Sequence, residues 1–214
     1  MKKIQLFVYD FDGTLADTKL DIADSVNRAM GELGVSALSQ ETIFGYVGNG
    51  VGPLLSRSLA GTGFTDIPTA VEVFKKHYDR HLLDRTNFYP NCRETIGFFS
   101  HKLHAILSNK PVYFINRILA ELDFARPFVA VLGGDSVETK KPDPQGLLQI
   151  MAAARVAPDE VLMVGDSAVD IETGRRANIL TCAVTYGLGS RRAIEEARPD
   201  WIIHDFAELK NLFC

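Results

Sequence analysis

Short apolar runs recur along this chain at Ile4–Tyr9, His104–Leu107, Val129–Leu132, Val161–Val164, Ile179–Val184 and Trp201–Ile203. Most are near-continuous in apolar residues and rich in β-branched or aromatic types, the pattern of strands buried on both faces of a parallel sheet. Between them the apolar residues change to helical spacing. Ile115, Ile118, Leu119 and Leu122 mark one helix. Leu147, Leu148 and Met151 mark the face of a second, introduced by Pro142 and Pro144, since proline is tolerated in a first turn. A third runs through Ile171 toward Ala177. Strands alternating with helices predict βαβ units with right-handed crossovers, hence an α/β fold with Trp201–Ile203 as its last edge strand.

The interval between the first and second strands breaks this rhythm. It reads as helices only, and at roughly 70 residues it is too long for a simple crossover. Leu20, Ala23, Val26, Met30 and Leu33 line one amphipathic helix. A short second helix is expected over 53–59, and a third over 70–83 with Val71, Phe74, Tyr78 and Leu82 about a turn apart. The expected division is a core of residues 1–16 and 88–214 and a small all-helical insert of residues 17–87. Linkers fall near Ala16–Lys19 and Asp84–Tyr89, and the insert would sit as a lid over the end of the first strand.

Composition narrows the classes. The 214 residues allow a sizeable core, and the net charge is −4 with 23 scattered Lys and Arg, which gives no nucleic-acid footprint and no membrane patch. The first apolar run stops at Asp10 without a small-residue cleavage site, so it does not read as a signal peptide, and no stretch reaches the roughly 20 apolar residues of a spanning helix. Cys92, Cys182 and Cys214 are odd in number and far apart, which favours a reducing cytosol over a disulfide framework.

Polar clusters follow the predicted strands. Asp10 and Asp12 close the first, Ser108 and Asn109 the second, Lys140 and Lys141 precede the proline-led helix, and Asp166 and Asp170 follow the Val161 run. Ligands of open α/β sheets bind outside the carboxyl ends of the strands, so these clusters converge on one edge. Taken singly, an acidic pair after a strand or a Ser-Asn pair serves as a turn or helix cap, and Asp170 in a first helical turn complements the helix dipole. Taken together they match the demands of cleaving a phosphate ester: an oxygen nucleophile, positive charge for the phosphoryl oxygens, and a proton for the leaving alcohol. Asp10 would attack phosphorus to give an aspartyl-phosphate. Asp12 would move the proton, first as acid and then as base. Lys141 would supply fixed charge, and Ser108 and Asn109 neutral donors to phosphate. Crowded carboxylates need a cation to stay ionised, and an all-oxygen set from Asp10, the Asp12 carbonyl and Asp166 suits Mg²⁺.

Other candidates carry less. His77 and His81 lie one helical turn apart, but without a third ligand they read as a solvated helix face. His101 and His104 flank a helix-to-strand junction and read as surface residues. The glycine cluster over 45–52 lacks the trailing Lys-Ser/Thr of a phosphate loop. It reads as a flexible loop or as one whose backbone at Gly48, Asn49 and Gly50 approaches a small anionic substrate.

The ordered set Asp10-Phe11-Asp12-Gly13-Thr14, Ser108, Lys141 before Pro142, and Gly165-Asp166-Ser167-Ala168-Val169-Asp170 resembles the four motifs of the haloacid dehalogenase superfamily in its phosphatase branch. The resemblance runs from residue 4 to about residue 190. It implies a Rossmann-like parallel core with a helical cap, and a Mg²⁺-dependent phosphomonoester hydrolase acting on a small phosphorylated metabolite. It implies Asp10 as nucleophile and metal ligand, Asp12 as acid/base and ligand, Asp166 as ligand, and Asp170 as a carboxylate just behind the ligands. Ser108-Asn109-Lys110-Pro111 and the loop at Val47–Gly50 are similar to those of phosphoglycolate phosphatases, which makes 2-phosphoglycolate the leading substrate. Tyr89-Pro90-Asn91-Cys92 departs from the usual Tyr-Pro-Gly-Val, and Gly52-Pro53-Leu54 resembles the cap of a pyrophosphatase branch. A pyrophosphatase or a sugar-phosphate mutase are the alternatives. A halide-removing hydrolase would need neither Asp12 nor a metal.

Overall fold

In the computed structural model, which describes residues 3–213, the first strand β1 (Leu6–Tyr9) has no exposed side chain. Cys214, one of the three cysteines, lies outside the described residues, as do the first two residues. Cys92 and Cys182 are buried free thiols.

Alternation along β1 divides the core into two layers. Phe7 and Tyr9 join Ile106, Ile115, Ile118 and Phe99 on one face, and Leu6 and Val8 join Leu147, Ile150 and Met163 on the other. The remaining sheet strands are β4 (Leu103–Leu107), β5 (Phe128–Leu132), β6 (Val161–Gly165), β7 (Leu180–Val184) and β8 (Trp201–Ile203), in the order β5-β4-β1-β6-β7-β8 and all parallel. All six predicted strands are present, and β8 is the edge. Helices α6 (Val112–Glu121), α7 (Gln145–Ala154) and α8 (Ala168–Arg176) are the crossovers that the periodicity marked. The short helices α5 (Cys92–Phe98), α9 (Arg191–Ala197) and α10 (Leu209–Phe213) span too few turns to show a period.

Two expectations are corrected. Leu148 was placed on the apolar face of α7 but is 47% exposed; the buried stripe is Leu147, Ile150 and Met151, because i, i+3 and i+4 share a helix face and i+1 does not. His104 was expected at the surface but is 2% exposed, stacked with the rings of Phe7 and Tyr9 at 5.8 and 5.9 Å. Its Nε2 lies 3.0 Å from the Phe99 carbonyl, which only accepts, so Nε2 carries the proton and Nδ1 accepts from the Tyr9 hydroxyl at 3.0 Å. A histidine satisfied at both nitrogens sits in a core strand at little cost.

The two linkers pair with each other. β2 (Ala16–Asp17) and β3 (Asn87–Phe88) form a two-stranded antiparallel ribbon. Between them come α1 (Lys19–Glu32), α2 (Gln40–Phe44), α3 (Val51–Ser58) and α4 (Ile67–His81), where three helices were expected. The additional one, α2, is five residues long and capped by Ser39, whose Oγ accepts from Thr42 N. α4 packs against α1 and α3. Asp21 in the first turn of α1 is buried and accepts from the backbone N–H of Arg85 and Thr86 and from the Thr86 hydroxyl, which ties the start of the insertion to its end.

Candidate active site

The C-terminal ends of β4, β1 and β6 lie side by side, so the residues that leave them meet. Asp10 continues β1, its N–H donating to the Val164 carbonyl at 2.9 Å, and its Oδ1 accepts from Phe11 N at 2.7 Å. Phe11 turns back into the core with no exposed surface. Gly13 then turns the chain at φ +85°, and a Cβ there would lie 2.3 Å from Asp166 Oδ2. Only glycine fits both the left-handed backbone and that approach.

Lys141, delivered by the loop before α7 across a cis Lys141–Pro142 peptide, is buried with its Nζ 2.9 Å from Asp10 Oδ1 and 2.6 Å from Asp170 Oδ1. Asp170 also accepts at Oδ2 from Ser167 N and Ser167 Oγ, forming the capping box of α8. It is at once the cap and the partner of Lys141. Asp166 accepts from Thr14 Oγ1 at 3.3 Å and, at Oδ2, from the N–H groups of Leu188 and Gly189 at 2.6 and 3.1 Å. Oxygen atoms of Asp10, Asp166 and Asp170 lie within 4.8 Å of one another, all buried.

Burial, only partly offset by Lys141, raises the Asp10 carboxyl to about 6. Burial together with the charges of Asp170 and Asp10 raises Asp166 to about 8. Asp10 and Asp170 in turn hold Lys141 firmly protonated against its own burial. Three buried carboxylates against one ammonium form a donor set short of positive charge, and hard oxygen ligands are what a Mg²⁺-like cation takes. The Asp12 side chain does not face this cluster. Its Oδ1 accepts from Thr18 Oγ1 at 2.6 Å and from Lys110 Nζ at 3.0 Å.

The other expected residues are placed as follows. Ser108 is buried beside Asp10, and its Oγ accepts from Lys110 N at 3.4 Å. The Asn109 side chain, expected to face phosphate, instead ties loops together: Nδ2 donates to the Gly48 and Lys141 carbonyls at 3.0 and 3.1 Å, and Oδ1 accepts from Lys141 N. Gly48 and Gly50 line a chamber between the insertion and the sheet, while the Asn49 side-chain amide lies 3.2 Å from the Arg57 guanidinium. Lys140 is exposed, its Nζ beside Gly50. His77 and His81 bind separate carboxylates, Glu32 at 2.8 Å and Asp84 at 2.9 Å, on the outer face of α4.

The chamber holds about 40 Å³ and is floored by Asp10, Asp12 and Ser108. Sequence reasoning missed three of its supports. Lys110 is buried, with Nζ donating to Asp12 and to the Tyr78 hydroxyl at 2.7 Å; its position two residues past Ser108 was the available signal. Tyr78 lay in an apolar helical stripe and read as core. The loop at 187–189, whose N–H groups hold Asp166, has no pattern of its own, although a Cβ at Gly187 would lie 2.3 Å from the Gly13 carbonyl.

An arrangement of this kind suits a hydrolase of phosphatase type. The model of the haloacid dehalogenase-like hydrolases matches residues 7–184, and the chain belongs to that family. Among curated relatives it is 36% identical to a phosphoglycolate phosphatase of Psychrobacter arcticus, over 96% of this chain and 94% of that one. It is 32% identical to the phosphoglycolate phosphatase of Haemophilus influenzae, over 98% of each. Among solved structures it superposes on a predicted phosphoglycolate phosphatase from Haemophilus somnus with a TM-score of 0.94 at 27% identity, covering 99% of both chains.

Proposed function

We propose that this phosphatase hydrolyses a small phosphate monoester through an aspartyl-phosphate on Asp10, with 2-phosphoglycolate as the leading substrate. The observation that carries the reading is the separation of the two carboxylates of the first motif. Asp10 is held against Lys141 in the acidic cluster, while Asp12 faces the chamber where a leaving group would lie. An Asp10 oxygen forms a bond to phosphorus as the bond from phosphorus to the ester oxygen breaks, and Asp12 gives its proton to that oxygen. Water then attacks the phosphoaspartate, Asp12 takes its proton, and Asp10 leaves as a carboxylate. Lys141 offsets charge on the phosphoryl oxygens, and Ser108 donates to one of them. Asp10, the Asp12 carbonyl and Asp166 would hold Mg²⁺, with Asp170 behind them steadying Lys141. When bound, Mg²⁺ supplies positive charge that keeps Asp10 ionised and draws in phosphate.

Residues 17–87 act in this reading as a cap over the core of residues 1–16 and 88–214. Among the described residues no helix is long and apolar enough to cross a membrane. Two free buried thiols fit the reading of a cytoplasmic enzyme of small metabolites. The phosphoglycolate phosphatases among its relatives support the substrate.

The test is a screen of small phosphate esters with Mg²⁺ and with chelator, using the wild type and Asp10→Asn. Phosphate release from 2-phosphoglycolate is expected, lost with chelator and reduced by about three orders of magnitude or more in the variant. Transfer of the phosphoryl group to a second hydroxyl would mark a mutase. Preference for pyrophosphate would mark the pyrophosphatase alternative. Turnover of no phosphate compound would end the reading.

A further inference from the structure

Lys110 is a buried cation on the chamber wall, and it is the only one among the described residues that line it. Its ammonium has three protons. One goes to Asp12, with Nζ 3.0 and 3.3 Å from the two carboxylate oxygens, and one to the Tyr78 hydroxyl. That leaves a third donor. Tyr78 accepts from Lys110 and keeps its own O–H proton for another acceptor. Its ring is fixed between Phe74, stacked at 5.4 Å, and Phe114, edge-on at 5.0 Å, so the hydroxyl cannot swing away. The rest of the wall is apolar: Ile22, Val51, Leu54, Phe74 and Phe114.

The ester oxygen that takes a proton from Asp12 must lie within hydrogen-bond reach of it. Lys110 Nζ is 3.0 Å from Asp12 Oδ1, so the first atoms of the leaving group fall within roughly 3–6 Å of the ammonium. At about 40 Å³ the part of the chamber walled by these side chains is small. A sugar there would press hydroxyls against apolar side chains, which is unfavourable. A carboxylate bonded directly to the ester carbon fits the space, brings the negative charge that Lys110 can receive, and has two oxygens for two donors.

We propose that Lys110 and the Tyr78 hydroxyl together form a carboxylate-recognition site, so that the enzyme selects phosphate esters of short 2-hydroxy acids. The proposal rests on the phosphatase reading above. It makes Lys110 and Tyr78 adjacent specificity-determining residues contributed by different parts of the fold, one from the loop after β4 and one from α4. Substrate reading therefore requires the insertion to be seated on the sheet.

The test compares kcat/KM for 2-phosphoglycolate and for ethyl phosphate, which lacks the carboxylate, in the wild type, Lys110→Met and Tyr78→Phe. The wild type is expected to favour 2-phosphoglycolate by at least about 100-fold. Lys110→Met should bring the ratio close to unity. Tyr78→Phe, which keeps the ring and its packing, should lower the ratio about tenfold, mainly through KM. A wild type without preference overturns the proposal. So does a parallel fall on both esters with the ratio intact, which would show that Lys110 serves Asp12 alone. Release of phosphate from neither ester by the wild type would instead remove the phosphatase reading itself. If Lys110→Met does not fold, Tyr78→Phe alone decides: an unchanged ratio overturns the proposal.

Discussion

Stripped of divalent cations, the protein is expected to lose stability as pH rises from 6.5 to 8. The cause is Asp166, whose carboxyl is raised from an ordinary value of 3.8 to about 8 by burial and by the charges of Asp170 and Asp10. A raised carboxyl means that the folded state holds a proton which the unfolded state has already released. Stability from that proton is fully present below the unfolded value and is lost as pH climbs through the folded one. One proton corresponds to about 1.4 kcal/mol per pH unit, and the slope flattens near pH 8, so the loss over this window is on the order of 2 kcal/mol. Asp10, raised to about 6, has mostly titrated by then and adds little. For a chain of this length the loss corresponds to a fall of roughly 3–8 °C in Tm. Urea or thermal unfolding at pH 6.5, 7.2 and 8 in chelator, and again in excess Mg²⁺, measures it. With Mg²⁺ the slope should vanish, because the cation replaces the proton as the partner of the carboxylates, and Asp166→Asn should remove it in chelator. A stability in chelator that is flat or rising with pH, or a slope identical with and without Mg²⁺, would refute the account of the cluster.

Two further outcomes follow from local geometry. Gly13→Ala places a methyl 2.3 Å from Asp166 Oδ2 on a residue at φ +85°, so it should cost about 2–4 kcal/mol of stability and weaken cation binding, read by unfolding and by titration calorimetry. His104 is buried neutral and burial holds its pKa below 6.5, so the unfolded state takes a proton first on acidification. The stability advantage of the Mg²⁺-loaded wild type over His104→Gln should therefore shrink as pH falls below about 6.5. An advantage that stays constant down to pH 5 would mean that His104 takes its proton within the fold.

Local pattern carried much of this molecule. Near-continuous apolar runs announced all six strands of the sheet; in the inner β4, β1, β6 and β7 the reason is that a strand buried on both faces admits few polar residues, whereas the edge strands β5 and β8 are half-exposed despite their apolar runs. Asp10, Asp12, Ser108, Asp166 and Asp170 stood out because each sits just past a strand end or at a helix start, the places that α/β topology brings together, and Lys141 because it precedes a proline-led helix. Short helices were not legible, since one or two turns show no period. His104 was misplaced because nothing in its neighbours reveals that Tyr9 and Phe99, distant or at an element boundary, would satisfy both its nitrogens.

Tertiary structure alone decided the division of labour among charges. Lys141 stands between Asp10 and Asp170, and Lys110 stands between Asp12 and Tyr78, although nothing in the chain says which acid either lysine will face. Asn109 turned from a donor for phosphate into a brace between Gly48 and Lys141. The physical reason is the same in each case. Which elements follow one another is written in periodicity over a few residues, but the partner of a buried charge is chosen by distance. Those distances exist only after β1, β4 and β6 are side by side and α4 has closed over them.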